Sequence, residues 1–265
     1  MRAVFLILLG LCGAIALQAQ PSDTLVVQRS LPLSARRATT DQLGNLYLVT
    51  AGNALEKYTP EGLFLTRFTN NRLGAIQSVD VSNPLKVLVW YADFRTVVFL
   101  DRSLTPLGEL HLIDAGYPEV RTVAAAADGN LWVYDETSFK LSKLSAAGTL
   151  LYESQDLNLI LNHRLQISSL YDDGVRVLAA DPLHGLYCFD PYAQYLRTAP
   201  MEGVAEIRTQ GDTVACLGDG VFFTVQLPLL EIRQRALPEG ASMQRWLGAG
   251  QLLVQQKDSL WVLNL

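Results

Sequence analysis

The sequence predicts an all-β protein, a six-bladed β-propeller of four-stranded blades, from three observations. A tight Asp-Gly turn followed by a strand of apolar and aromatic residues occupies residues 128–134, and a similar segment occupies residues 41–49. The copies recur at a period of roughly 40 residues, which is typical of propeller blades. The strands left over at the two chain ends together complete one blade. Weaker copies of the repeated strand lie at Val87, Val175, Val214 and Leu252.

Taking the repeated strand as the second strand of each blade places the other strands around it. A turn with Pro60 and Gly62, residue types that favour chain reversal, separates the last two strands of the first blade. In the second blade, residues 87–90 are all apolar, as expected for a strand covered on both faces. The first blade is predicted at residues 37–40, 45–50, 54–58 and 63–68. The second is predicted at residues 76–81, 85–90, 96–100 and 107–110.

The next three blades follow the same order. Between the third and fourth blades, residues 154–164 form a connector whose apolar stretch is expected to form a short helix or to pack under a loop. The third blade is predicted at residues 120–125, 131–134, 140–144 and 149–153. The fourth is predicted at residues 166–170, 175–179, 185–189 and 195–198. The fifth is predicted at residues 205–209, 213–217, 221–225 and 231–235.

The sixth blade is divided between the chain ends. Residues 243–247, 251–255 and 260–265 supply three strands, and residues 24–27 supply a strand with no blade of its own. Pairing of these N-terminal and C-terminal strands closes the ring and removes two exposed sheet edges. This accounting predicts six blades, whereas five or seven are the alternatives if the connector at residues 154–164 hides or loses strands.

The first residues have the features of a secretory signal. Arg2 precedes an apolar run over residues 4–16, and the small residue Ala19 follows it. We therefore expect a signal peptide at residues 1–19 and a single propeller domain at residues 20–265. A transmembrane anchor is the competing interpretation, but the run is shorter than the ~20 residues that span a bilayer.

A lipoprotein anchor is a second alternative for the leader. Cys12 follows Leu11, which is too bulky for lipoprotein cleavage, and the apolar run continues past the cysteine. The sequence therefore favours export, to the periplasm, the outer membrane or the cell exterior.

Composition limits the classes of partner and of site. The net charge of −5 argues against nucleic acid and against an anionic membrane surface, since both attract basic proteins. Cys188 and Cys216 each lie among apolar residues, which favours buried thiols over a disulfide. His111, His163 and His184 are dispersed and there is no CxxC motif, so the spacing gives no zinc site.

The repeats also resemble a known family. The glycine-asparagine-leucine-aromatic pattern at residues 44–47 and 129–132, together with residues 57–62, resembles NHL-type repeats. It is also similar to the propeller repeats of hybrid, regulator-type sensor ectodomains. The resemblance covers two blades well and the others loosely, and it implies a propeller that binds proteins or small ligands with no particular reaction.

Polar side chains at the starts of the innermost strands form one candidate site. In this register they surround one end of the central channel, where propeller ligands usually meet the chain. A collar of this kind favours a carboxylate or phosphate, because guanidinium groups pair with planar anions bidentately. The alternative is that these side chains cap exposed backbone and stay in water. The collar residues are Arg37, Gln77, Arg121 and Gln166, with Arg208, Gln244 and Arg245 near the matching places in the last two blades.

Turns between second and third strands form a candidate contact surface. They mix aromatic and charged residues, which is the composition of protein-contact surfaces. The alternative is that Phe94 and Phe139 fold inward as packing over the channel. The candidate contact residues are Tyr91, Asp93, Phe94, Arg95, Phe139 and His184.

No catalytic residue, cofactor or metal ligand is predicted. The chain has no G-x-S-x-G motif and no supported Ser/His/Asp set. Its turn aspartates are expected to satisfy local backbone N–H groups rather than to hold calcium or to act as acids. These aspartates are Asp41, Asp80, Asp128, Asp172, Asp173 and Asp212.

The features together predict an exported, non-enzymatic propeller that acts as a rigid scaffold for protein partners in a cell-envelope assembly. The channel mouth is expected to offer a site for a small anionic ligand. The alternative is a small-ligand binder or a lactonase-like, metal-dependent hydrolase, which needs acidic or amide side chains converging on the channel axis. A sensor ectodomain is disfavoured because no membrane segment follows the last predicted strand.

Overall fold

The computed structural model shows the predicted propeller. The described residues form six four-stranded antiparallel sheets, which are the blades of a ring. Each blade is a meander whose strands run outwards from the central channel, and the last blade combines both ends of the chain. The structure describes residues 25–83, 85–218, 220–227, 229–235, 237 and 243–265.

The first strand of the chain, β1 (Val27–Leu31), belongs to the sixth blade. The first blade contains β2 (Arg37–Thr40), β3 (Leu46–Val49), β4 (Ala54–Tyr58) and β5 (Phe64–Thr69). The second contains β6 (Ser78–Asp80), β7 (Lys86–Tyr91), β8 (Thr96–Asp101) and β9 (Pro106–His111). The third contains β10 (Val120–Ala125), β11 (Leu131–Asp135), β12 (Lys140–Leu144) and β13 (Leu150–Glu153).

The connector after the third blade contains a helix, α1 (Leu157–Leu161), as one of the two expectations had it. The fourth blade contains β14 (Ser169–Asp172), β15 (Val177–Asp181), β16 (Gly185–Phe189) and β17 (Tyr195–Pro200). The fifth contains β18 (Val204–Gln210), β19 (Thr213–Gly218), β20 (Phe222–Gln226) and β21 (Glu231–Gln234). The sixth contains β22 (Gln244–Gly248), β23 (Gln251–Gln256) and β24 (Ser259–Asn264), and β1 completes it.

Pairing of the two chain ends closes the ring, as predicted. β1 runs antiparallel to β24, with Val27 opposite Leu263 and Leu31 opposite Leu260. The strand lies later in the chain than residues 24–27, because it is Leu31 that reaches the core between the sixth and first blades. Residue 24 itself lies outside the described residues.

Apolar clusters between neighbouring blades hold the ring together. Among the described residues there are six such clusters, one for each pair of adjacent blades. The second strands lie in the middle of this packing, and the predicted apolar segment Val87, Leu88, Val89 and Trp90 is fully buried. Burial on both faces explains why these strands are apolar throughout instead of alternating.

The start of the fourth blade differs from the prediction. β14 begins at Ser169, not at Gln166. The backbone N–H of Gln166 donates to the Asp181 carboxylate at 2.8 Å, and Ile167 packs in the core between the third and fourth blades. Residues 166–167 therefore finish the connector, and the innermost strand starts later.

The cysteines of the fourth and fifth blades are free thiols. Cys188 on β16 and Cys216 on β19 are both buried and free, and both belong to the core between the fourth and fifth blades. Burial raises the pKa of each thiol, so neither is an activated nucleophile.

In the part of the chain that the structure describes, no helix is long and apolar enough to cross a bilayer.

Candidate functional site

One end of the central channel carries a cavity of about 380 Å³. We call this side of the ring the entry face, because it carries the loops that enter the innermost strands and the turns between second and third strands. The cavity lies among the first residues of the innermost strands, so every blade contributes to its wall. Its polar lining residues include Arg37, Thr39, Gln77, Ser78, Asp80, Arg121, Thr122, Ser168, Ser169, Glu206, Arg208 and Arg245.

Arginine dominates the charge of this cavity. Four guanidinium groups face two carboxylates, which leaves a formal charge of +2 in a chain of net charge −5. Low-dielectric walls concentrate such a field, so the local potential of the cavity is positive although the whole protein is acidic. The charged lining residues are Arg37, Arg121, Arg208, Arg245, Asp80 and Glu206.

Arg37 is the first residue of β2 and is half-buried. Its guanidinium donates no hydrogen bond to any residue that the structure describes and forms no ion pair within 4 Å there. Burial lowers the pKa of Arg37, and nearby Arg36 also lowers it, while Glu206 raises it. A half-buried guanidinium without a protein acceptor retains its full set of donors for an anion.

Glu206 is the only carboxylate among the described lining residues on the fifth, sixth and first blades. Its Oε1 accepts the backbone N–H of Leu247 at 3.2 Å and lies 3.8 Å from Nη2 of Arg208. Burial raises the pKa of Glu206, and Arg208, the Leu247 N–H and Arg37 lower it by less. The carboxylate is therefore only partly compensated in its ionised form.

Two other arginines of the cavity, Arg208 and Arg121, contact neighbouring groups. Nη1 of Arg208 donates to the Ile207 carbonyl at 2.7 Å, and its Cζ lies 5.5 Å from the centre of the Tyr171 ring. Nη1 of Arg121 lies 3.5 Å from Oε1 of Glu136. These contacts restrain the two side chains at the cavity wall.

The structure places three of the four principal collar residues in the cavity wall. Arg37, Gln77 and Arg121 line it, and so do Arg208 and Arg245. Gln244 and Gln166 are not among its lining residues, and the strand after Gln166 begins three residues later than predicted. Ser168 and Ser169 occupy the place of Gln166 in the wall.

Tyr91 is not part of an exposed contact surface, and that expectation is wrong. It is the last residue of β7, is 0% exposed, and packs between the first and second blades. Burial raises its pKa to about 12, and Glu109 adds to this effect. The buried apolar segment of β7 therefore includes Tyr91, which the sequence had assigned to the following turn.

The rest of this turn is accessible, as predicted. Phe94 is 54% exposed, so it does not fold inward as packing. Asp93 accepts the backbone N–H of Ala75 at 3.3 Å. Arg95 has a positive φ of 48°, donates from Nε to the Pro118 carbonyl at 3.0 Å and also donates to the Ala92 carbonyl. The turn is thus a fixed platform that presents the Phe94 ring.

Phe139 and His184 lie in the corresponding turns of the third and fourth blades. Phe139 is half-buried with a φ of 56°, and Cζ of Arg164 lies 5.4 Å from its ring centre. The His184 ring stacks on His163 with centroids 4.1 Å apart. Nδ1 of His184 lies 3.1 Å from Oδ2 of Asp181. Both predicted residues are therefore on the entry face, but each also has a packing role.

Five of the six turn aspartates accept backbone N–H groups, as expected, whereas the carboxylate of Asp212 accepts from Nη2 of Arg176 at 3.1 Å. Asp41 accepts the N–H groups of Leu43 and Asn45, both at 2.9 Å. Two of these aspartates also link blades: Oδ2 of Asp80 accepts the N–H of Ala125 at 2.9 Å, and Oδ2 of Asp172 accepts the indole N–H of Trp132 at 2.8 Å. Among the described residues, no three His, Cys, Asp or Glu side chains form a group that could hold a metal ion.

Sequence reasoning missed Glu206 and His163. Glu206 follows a β-bulge, since β18 pairs Val204 with Gly218 but Glu206 with Leu217. The shift turns the Glu206 side chain towards the channel, and a bulge has no reliable sequence signal here. His163 meets His184 only through the folded connector, so no spacing along the chain could bring the two together.

Comparison with known proteins supports the fold and nothing finer. No protein-family model matches the chain, and no curated protein matches it. A solved virginiamycin B lyase from Staphylococcus aureus is similar, with a TM-score of 0.59, 11% identity, and coverage of 86% of this chain and 79% of that chain. BamB from Moraxella catarrhalis has a TM-score of 0.51 and 10% identity, and 91% of this chain and 73% of that chain are covered. The Pan2 WD40 domain of Neurospora crassa has a TM-score of 0.55 and 9% identity, with 88% and 89% covered.

These neighbours differ in kind. One is a lyase by name, and another is a WD40 domain. At identities of 9–11% the likeness shows a β-propeller and does not decide between an enzyme and an interaction module. The resemblance to NHL-type repeats stays a prediction, since no family model matches.

Proposed function

We propose that this chain is an exported, non-enzymatic β-propeller that acts as a rigid interaction module for a protein partner in a cell-envelope assembly. Export is supported by the leader pattern of residues 1–19, and it places the module in the periplasm, at the outer membrane or outside the cell. The NHL-like resemblance is in keeping with a binding role. Nucleic acid is not proposed as a partner of a chain with net charge −5.

The observation that carries the proposal is the exposed Phe94 on the entry face. An aromatic ring that is half exposed, held on a fixed turn and flanked by Asp93 and Arg95 has the composition of an interface anchor. The same face contains the arginine-lined cavity, for which we propose an anionic group as ligand. A partner that covers Phe94 and supplies an acidic group to the cavity would use both features.

The metal-dependent hydrolase has no observation in its favour. It needs several acidic or amide side chains directed at the channel axis, whereas the described cavity wall carries Asp80 and Glu206 among four arginines. Asp80 is already engaged, because Oδ1 accepts the Ser82 N–H and Oδ2 accepts the Ala125 N–H, both at 2.9 Å. A single partly compensated carboxylate is a poor set of ligands for a divalent cation.

Crosslinking in the source cells tests the proposal. Tagged protein is crosslinked in intact cells and purified from envelope extracts, and co-purified proteins are identified by mass spectrometry. We expect one reproducible envelope partner, and we expect Phe94→Ala to lower its recovery by about tenfold or more if the ring is an anchor. Leu107→Ala is the matched control, since Leu107 is 61% exposed on the outermost strand of the same blade.

Two results would contradict the proposal. The first is the absence of any reproducible partner from envelope extracts. The second is an equal loss of partner with Phe94→Ala and Leu107→Ala, which would show that the entry face is not the contact surface. Recovery of the tagged protein from the cytoplasm with an intact leader would separately overturn export.

A further inference from the structure

Three consecutive blades supply arginines to one side of the channel mouth. Arg208 comes from β18 of the fifth blade, Arg245 from β22 of the sixth and Arg37 from β2 of the first. These three strands are joined through Leu247, whose N–H donates to Glu206 and whose carbonyl accepts from the Thr39 hydroxyl at 3.1 Å. The three guanidinium groups therefore stand on one hydrogen-bonded wall.

We infer that this wall binds the carboxylate of a ligand, with Arg37 as its main anchor, and that Glu206 is an internal competitor for the same guanidinium groups. The inference rests on the proposed function, because it names the chemistry of the anionic group that the entry face receives. Two sources can supply this carboxylate, a free small molecule and an acidic side chain of a protein partner, and the probes below distinguish them.

Glu206 supports the choice of a carboxylate. A protein carboxylate already occupies the arginine-lined wall, so a second group of the same shape is suited to it. The 3.8 Å separation of Glu206 Oε1 from Arg208 Nη2 exceeds a hydrogen-bond length, and Arg37 has no hydrogen-bond acceptor among the described residues. Glu206 thus competes through its charge, without a hydrogen bond to Arg208 or Arg37.

Protonation of Glu206 is expected to control affinity. Among the described residues, Arg208 on its own strand and Arg37 on the first blade act on its charge, and Arg245 on the sixth blade lines the same cavity. Burial raises the pKa of Glu206, so the group takes up a proton at a higher pH than an ordinary glutamate. The neutral form no longer opposes an incoming anion, and anion affinity therefore rises as the pH falls through the raised pKa.

Calorimetric titration of the purified protein with tartrate tests the inference. Tartrate carries two carboxylates that stay ionised between about pH 5.5 and pH 7.5. We expect binding that is tighter at pH 5.5, and we expect Arg37→Gln to weaken it by about tenfold because a charge-assisted pair is lost. Arg67→Gln is the charge-matched control on the exposed outer strand β5, and it is expected to leave the affinity within about twofold.

Glu206→Gln is expected to raise the affinity for tartrate, and a misfolded variant would lose affinity instead. The amide keeps an acceptor for the Leu247 N–H but has no charge, so we expect tartrate affinity at pH 7.5 to rise by about fivefold to tenfold. The variant is also expected to lose the pH dependence. Glu109→Gln, which removes a charge from exposed β9, is the control and should leave both unchanged.

Further probes distinguish the sources of the carboxylate. Tighter binding of a blocked peptide with two aspartates than of tartrate assigns the site to an acidic segment of a partner, and the reverse order assigns it to a free small molecule. Equal or tighter binding of inorganic phosphate overturns the carboxylate assignment. No binding of tartrate or peptide to Glu206→Gln overturns the inference whatever the crosslinking shows, whereas tartrate binding without a crosslinked partner overturns only the proposed protein partnership.

Discussion

Asp181 is a fully buried carboxylate at the end of β15 that holds the entry face in place. It accepts the backbone N–H groups of Gln166 and Leu183, both at 2.8 Å, and lies 3.1 Å from Nδ1 of His184. One residue thus joins the connector to the turn of the fourth blade. Burial alone would raise the pKa of Asp181, but these hydrogen bonds and His184 lower it below its ordinary value.

Replacing Asp181 by Asn is expected to destabilise the fold by about 2–3 kcal/mol at pH 7, because hydrogen bonds to a buried charged acceptor are lost. A carboxyl group with a lowered pKa contributes stability above its unfolded pKa and loses it as the pH falls through the folded pKa. The difference between wild type and Asp181→Asn should therefore shrink below about pH 4. Urea denaturation at pH 7 and pH 3 measures it.

Asp190→Asn is the control for that measurement. Asp190 accepts two backbone N–H groups in the same way, but it lies in a partly exposed turn. Its substitution is expected to cost less than about 1 kcal/mol. An equal cost at the two positions would show that burial and the contact with His184 add nothing to Asp181.

Individual site residues were predicted to the extent that strand register was predictable. Arg37 and Arg121 lie where the repeated pattern places them, because the first and third blades carry the clearest repeats. Gln166 was misplaced because the connector before it folds against Asp181. Tyr91 was misplaced because an aromatic residue at a strand end is equally suited to a core and to a surface.

Five hairpin turns share one geometry. In each, a side-chain oxygen accepts the backbone N–H groups two and four residues later, as in three-residue hairpins with a type I turn and a bulge. The residue three positions after the acceptor has φ between 60° and 86°. The accepting residues are Asp41, Thr59, Asp101, Ser145 and Asp190. The residues with positive φ are Gly44, Gly62, Leu104, Gly148 and Ala193.

Gly44→Ala is expected to destabilise the protein by about 1 kcal/mol. The φ of Gly44 is 79°, and an added Cβ would meet only the Pro60 side chain at 3.5 Å, which is an ordinary contact. Backbone strain in the left-handed region is then the main cost. Thermal and urea unfolding followed by circular dichroism measure the change.

Gly108→Ala separates this strain from a general effect of alanine. Gly108 lies within β9, has no positive φ, and an added Cβ would meet no atom within 4 Å. Alanine there is expected to be neutral or to stabilise by up to about 1 kcal/mol, since it restricts the unfolded chain. A loss equal to that of Gly44→Ala would contradict the strain argument.

Turn composition shows why some elements were easier to predict than others. Glycine at Gly44, Gly62 and Gly148 marks the left-handed position directly, and the strands around these turns were located well. Leu104 and Ala193 occupy the same position without that mark. They are tolerated because both side chains are buried and the turn bonds over-determine the backbone.

The whole ring follows from the repeat period together with the divided last blade. Both can be counted along the sequence, so blade number and closure were predictable. The channel-mouth site was predictable only in outline, because it depends on side chains from six blades that meet across the axis. The bulge before Glu206 and the stacking of His163 on His184 depend on contacts in the folded ring, for which the sequence has no periodic signal.

The short strand β1 contributes to the stability of the whole ring, because it closes the sixth blade. Its residue Leu31 packs with Leu260 and Val262 in the cluster between the sixth and first blades. Without β1, strand β24 would become an edge with unpaired backbone groups, and Leu260 and Val262 would lose part of their cover. Removing β1 therefore destabilises the interface between the sixth and first blades as well as the end of the chain.

A chain that begins at Pro32 is expected to unfold about 10 °C below one that begins at Gln20, since a loss of roughly 3 kcal/mol shifts the midpoint of a domain of this size by that amount. Circular dichroism melts of the two chains measure the difference. A synthetic peptide of residues 25–35 should restore part of the stability by pairing with β24, whereas a scrambled peptide of the same composition should not. Identical melting of the two chains would mean that the ring is held by its other five blade interfaces and that the pairing of β1 with β24 contributes nothing.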